Sequence, residues 1–148
     1  APDAGLLVTA AVRFDRLALE DGETMVILAK SDMSGWTLEL HDPPGAGGAE
    51  LRLGVFVGDG YRYATVPADW VLDEAGGHFI IGSYNGNGPV RLWVDNDSGS
   101  VVGEDATGGV VNNDSLLLLG ADPQGDAPPR YHFDGAIQRA AVLSWDSP

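Results

Sequence analysis

The sequence predicts an all-β fold, a two-sheet antiparallel jelly-roll sandwich, and three observations predict it. Segments in which apolar and polar residues alternate recur along the 148 residues, as they do in strands with one buried face. No stretch keeps an apolar i, i+3, i+4, i+7 pattern over three turns, so no helix layer is expected. The chain also carries 21 Gly and 9 Pro, the turn density of many short strands. Its length suits one domain, residues 1–148, burying ~68–70% of the surface of its unfolded chain.

Val8, Ala10, Val12 and Phe14 form one face of the first predicted strand, with Thr9, Ala11 and Arg13 on the other. Met25 to Lys30 follows a turn-rich LEDGE, and Trp36, Leu38 and Leu40 then alternate with Thr37, Glu39 and His41. Leu51 to Val57 and Tyr61 to Val66 flank Gly58-Asp59-Gly60 and read as a hairpin. Ala68 to Glu74 has room for one helical turn before Gly76-Gly77 stops it. His78 to Tyr84 and Val90 to Asp95 flank NGNGP, the clearest hairpin, because Asn and Gly accept the positive φ such a turn needs. Short strands are expected near Ser100 to Gly103, at Ser115 to Gly120 and at Ala136 to Ser144, with the Pro-rich ADPQGDAPPR read as a loop. The total is roughly ten strands, enough for two packed sheets.

Charge excludes several functions. Eight basic against 22 acidic side chains give a formal charge of −14, which repels DNA, RNA and anionic membrane surfaces. No apolar run approaches the ~18 residues of a membrane span. The opening APDAG has neither an initiator Met nor a signal peptide, as expected of a mature or excised fragment. With no Cys there is no disulfide framework, thiolate zinc site or Cys nucleophile, and the compartment stays open. The excess of Asp over Glu suits a salty medium or calcium, and a GC-rich genome produces it equally well.

Catalytic signatures are absent. Glycan cleavage with retention needs two carboxylates ~5–5.5 Å apart, and no strand offers an alternating carboxylate pair. Glu39 and His41 share a strand face, which reads as solvated surface because no third ligand is placed beside them. G-x-S-x-G, H-E-x-x-H and the phosphate-cradling G-x-x-x-x-G-K-[ST] do not occur. Asp95-Asn96-Asp97-Ser98-Gly99 begins like a calcium loop but lacks the Gly and distal Glu, and reads as a turn. Most of Trp36, Trp70, Trp93, Trp145, Tyr61, Tyr63, Tyr84 and Tyr131 are expected in the core. Trp93 is the exception: it alternates with Leu92 and Val94, shares an outward face with Arg91 and Asp95, and there an indole can stack on a sugar ring. Tyr61 and Tyr63 on their strand are the alternative site.

The order and spacing of these segments resemble the laminin-G-like jelly rolls of the concanavalin A-like lectin and glucanase group. GLLVTAAVRFD is similar to the family's opening strand, MVILAKSDMSGWTLEL to its "I-I-S-K … G-W-x-L" pair, and GGHFIIGSYNGNGPVRLWVDNDSGSVV to its central hairpin. SLLLLGAD followed by FDGAIQRAAVLSW resembles its closing "L-x-I-G … F-x-G-x-I". The resemblance spans nearly the whole chain. It implies a calcium site in which Asn112 and the Val110 carbonyl take the family's positions, Trp36 stands where the family has an Asp, and Asp32 or Asp114 substitutes; a plain Asn-rich turn is the other reading.

The function expected from this resemblance is a non-catalytic, extracellular or cell-surface module of a larger protein that binds a polysaccharide or cell-surface glycan. The alternative is a structural domain that contacts protein partners through its edge strands. A glycan-active enzyme is a distant third.

Overall fold

The computed structural model describes residues 4–95, 101–111, 115–124 and 127–146. Twelve strands and one turn of helix occur among them, and the expected two-sheet antiparallel sandwich is present. Sheet 1 runs in the order β12 (Gly135–Asp146), β1 (Ala4–Phe14), β6 (Gly77–Tyr84), β7 (Asn87–Val94), β8 (Val101–Thr107). Sheet 2 runs β5 (Tyr61–Pro67), β4 (Glu50–Phe56), β3 (Gly35–His41), β2 (Thr24–Ser31), β9 (Leu118–Leu119).

Alternation decides the faces. Leu6, Val8, Ala10, Val12 and Phe14 of β1, Ile80 and Tyr84 of β6, and Val90, Leu92 and Val94 of β7 turn inward onto Leu38, Leu40, Leu51, Leu53, Val55 and Ala64 of sheet 2. Each large aliphatic among them contributes about 1.5–3 kcal/mol by leaving water. Gly82 faces sheet 2 with no room for a side chain: a Cβ there would meet Leu53 Cδ2 at 2.7 Å. The buried Tyr84 hydroxyl donates to the Gly108 carbonyl at 2.6 Å, so its polar end is satisfied.

Three expectations are corrected in detail. The stretch read as a Pro-rich loop holds a hairpin, β10 (Asp122–Gln124) with β11 (Ala127–Arg130), which packs against β2. Prolines donate no ladder bond, so such a strand gives little sequence signal. The strand expected at Ser115 to Gly120 shrinks to two residues, β9, with Leu116 and Leu117 exposed before it. The strand expected near Ser100 to Gly103 extends to Thr107, where Ala106 turns into the core. The helical turn is α1 (Ala68–Val71), ended when Leu72 adopts extended backbone. No described helix is long and apolar enough to cross a membrane.

Candidate functional site

The outer face of each sheet carries aromatic and charged side chains, and the two are built differently. On sheet 1 the β1 register aligns three rows across the strands: Leu143, Leu7, Ser83, Arg91 and Val102; then Ala141, Thr9, Ile81 and Trp93; then Arg139, Ala11 and Phe79. Trp93 and Arg91 stand on the outer side and are half-buried, while Leu92 and Val94 between and beyond them are fully buried. Phe79 is 44% exposed, Val102 61% and Leu143 59%, so the face is largely apolar and open. Trp145 is partly exposed on β12 and its ring lies over Gly5, where any Cβ would collide with it.

A cavity of about 310 Å³ opens beside Phe79 on this face, lined also by Ala11, Gly77, Asp95 and Gln138. It forms where β12 bulges: Arg139 pairs with Ala11 and Ile137 with Val12, leaving Gln138 without a partner on β1. Asp95 is held in place on its rim. Oδ2 accepts from His78 Nδ1 at 2.5 Å and Oδ1 from the Phe79 amide at 2.8 Å, and the backbone takes a φ of 49° that Asp tolerates. On its other side, His78 Nε2 lies 3.0 Å from the Asp73 amide and 3.2 Å from the Asp73 carbonyl. Asp95 therefore closes the β6–β7 pair at the rim of the cavity.

On sheet 2, Tyr61 and Tyr63 stack at 5.8 Å on the outermost strand β5, and Tyr63 lies over Gly54, with the Arg52 guanidinium 4.5 Å from its ring centre. Arg52 is ion-paired with Glu39 at 2.7 Å, and Thr37 donates to the other Glu39 oxygen at 3.1 Å. The solvated strand face expected around Glu39 is thus overturned: the residue is 6% exposed, and burial pushes its carboxyl above the usual range although Arg52 opposes the shift. Burial also raises Asp122, whose oxygens accept from Ser31 and from Gln124 Nε2. Tyr61 donates to the Ser34 carbonyl at 3.0 Å, and the Tyr63 amide donates to Glu104 at 2.7 Å. These groups are nearly all engaged with one another.

Of the residues proposed for calcium, Asp32 lies exposed in the β2–β3 turn, and Val110 precedes Val111, whose carbonyl accepts from the Gly35 amide at 2.9 Å at the start of β3. Asn112 and Asp114 lie outside the described residues, as does most of the turn that begins at Asp95. Among the described residues no three His, Asp or Glu side chains gather to hold a metal ion. The expectation that most of these Trp and Tyr residues are core fails: only Trp36 and Tyr84 are buried, whereas Trp70 (76% exposed), Trp145 and Tyr131 are exposed.

No family model and no curated protein matches the chain. Among solved structures, it is similar to the enzymatically active domain of a tailspike protein from bacteriophage CBA120, at 17% identity and a TM-score of 0.60 over 97% of this chain. The chain spans about a fifth (22%) of that tailspike chain. It is similar to the CBM40 of a Ruminococcus gnavus IT-sialidase, solved with α2,3-sialyllactose, at 16% identity and a TM-score of 0.62, covering 96% of this chain and 76% of that one. A heptameric SAP-like pentraxin from Limulus polyphemus gives a TM-score of 0.62 at 10% identity, over 95% of this chain and 65% of that one. At such identities the likeness is one of fold, and it makes this chain an antiparallel jelly-roll sandwich.

Proposed function

We propose that the chain is a non-catalytic glycan-binding module of the laminin-G-like group, acting outside the cell or on its surface, with its ligand on the outer face of sheet 1. The observation that carries this reading is the combination on one open face of Trp93, Phe79 and a cavity bordered by Asp95 and Gln138. Flat apolar rings stack on sugar faces, and a few polar groups beside them fix hydroxyls. The glycan-bound CBM40 of similar fold agrees with it. Absence of turnover rests on the lack of an alternating carboxylate pair on any strand in the sequence, and two of the three buried carboxylates, Glu39 and Asp122, are engaged by Arg52, Thr37, Ser31 and Gln124. A glycan array with the wild type and Trp93→Ala tests the proposal. Binding that falls about tenfold or more in a folded variant is expected of a central stacking residue; unchanged binding moves the site to Tyr61 and Tyr63.

Calcium at Asp32, the Val110 carbonyl, Asn112 and Asp114 belongs to the same proposal. A site that binds the native state alone stabilises it by about 2.7 kcal/mol at 100 times Kd. The melting midpoint should then rise more with calcium than with magnesium at fixed ionic strength, and equal shifts would remove the site.

A second reading, contact with a protein partner, is favoured by a different observation. Leu116 (73% exposed), Leu117 and Leu119 flank or form the edge strand β9, and Met33 is exposed on the β2–β3 turn. If this edge is an interface, Leu116→Ser with Leu119→Ser changes the oligomeric state and leaves glycan binding intact.

A further inference from the structure

Eight basic side chains face 22 acidic ones in this chain, and most of the eight are matched. Arg13 pairs with Asp15, Arg16 with Glu23 and Asp134, Arg52 with Glu39, and Arg62 with Asp59. Arg130 lies over the Tyr131 ring, and Lys30 also has a partner. Arg91 and Arg139 make no hydrogen bond, ion pair or ring contact with the described residues. Both stand on the outer face of sheet 1, the face of Trp93.

Their separation follows from the register. Arg91 on β7 and Arg139 on β12 are three strands apart, and their rows meet β1 at Leu7 and Ala11, four residues apart. With strands ~4.8 Å apart and a rise of ~3.4 Å per residue, the two guanidiniums are anchored ~20 Å apart across the sheet. The line between them crosses Ile81 and Thr9, with Trp93 and Phe79 along one side.

Resting on the glycan reading above, we infer that the ligand is an extended, carboxylate-bearing polysaccharide that runs diagonally over sheet 1 from Arg91 to Arg139. A guanidinium fork holds a carboxylate by two parallel hydrogen bonds, and a free one on an apolar surface is poised to do so. A single terminal sugar cannot reach both arginines, so the ligand is a chain of several residues. The charge of −14 bears on which polyanion fits. Duplex DNA carries one charge per ~1.7 Å and meets strong repulsion. A polyuronate has at most one charge per sugar, and repulsion from acidic groups beyond ~8 Å is screened at physiological salt, so Arg91 and Arg139 are weighed mainly against Asp95 on the same face.

Titration calorimetry with oligomers of polygalacturonate, alginate and hyaluronate, each beside its methyl ester, tests the inference, with duplex DNA of equal length in parallel. At least one acid form should bind, with its ester about tenfold weaker or more, the effect of losing a charge-assisted hydrogen bond. Arg91→Gln and Arg139→Gln should each weaken the acid form toward the ester, and a disaccharide of the same sugar should show no effect of the second arginine. If acid and ester bind equally and Trp93→Ala abolishes both, the glycan face stands and the anionic ligand is wrong. If none of the polymers binds and a neutral-glycan array is also blank, the glycan reading itself fails. DNA binding tighter than any polyuronate overturns the inference in favour of a nucleic acid.

Discussion

The outer faces of the two sheets contain the same kinds of residue and use them in opposite ways. On sheet 2, Arg52, Glu39 and Thr37 form one closed set, Ser31, Asp122 and Gln124 another, and Tyr61 is tied to Ser34. On sheet 1, Arg91 and Arg139 are free among the described residues, and Trp93, Phe79 and Val102 are left partly open. An arginine or aromatic ring on a sheet surface is therefore not itself a sign of binding. What separates the faces is remaining hydrogen-bonding capacity: a polar group satisfied within the protein gains little from a ligand, whereas an unmatched one beside apolar surface has interaction energy to offer.

The largest expected difference is in stability. Arg52→Met leaves the Glu39 charge buried and unpaired, a loss of about 3–5 kcal/mol in urea unfolding. Part of it should return on acidification. Burial already raises the Glu39 pKa, removal of Arg52 raises it further, and a group whose folded pKa lies above its unfolded value stabilises the fold as pH falls through that folded value. A flat pH dependence in Arg52→Met would contradict the buried pair. Arg91→Gln and Arg139→Gln should change stability by no more than about 0.5 kcal/mol, as surface changes do. A large loss there would mean that sheet 1 also uses its arginines structurally.

A smaller effect calibrates both. Arg16 holds the Glu23 carboxyl down to about 2, from an ordinary value of 4.5. The unfolded chain takes up this proton first, so the pair's contribution is present above pH 4.5 and disappears as pH falls toward 2. In Glu23→Gln that part of the acid-induced loss should be missing. Since the pair is partly exposed, the effect should be modest and reduced by salt.

Most strands could be read from the sequence because period-two alternation is a local signal: β1, β3, β4, β5, β6 and β7 fall where Val8 to Phe14, Trp36 to His41 and the two Gly-rich hairpins put them. The outward placement of Trp93 and Arg91 follows from the same rule. What pairs across long sequence distances was not legible. Arg16 meets Asp134, 118 residues away, and Ser31 meets Asp122, 91 residues away, so no local pattern marks them. Glu39 read as solvated when it is buried because alternation does not show what covers a strand face, and the bonds by which Asp95 holds His78 and the Phe79 amide were equally unmarked. The exposure of Trp70 and Trp145 was hidden for the converse reason, since large apolar residues are usually covered and only the arrangement of neighbours shows when they are not.

The central claim is that ligand lies on sheet 1, and the chain's 4 tryptophans allow a direct measurement. In a ¹⁵N-labelled sample each indole N–H gives its own NMR signal, assigned by single Trp→Phe variants. On titration with the tightest glycan, the Trp93 signal should move in proportion to occupancy, while Trp36 in the core and Trp70 on α1 stay in place. A titration that moves Trp70, or that shifts the Tyr61 and Tyr63 amides and leaves Trp93 unmoved at saturation, would contradict the account.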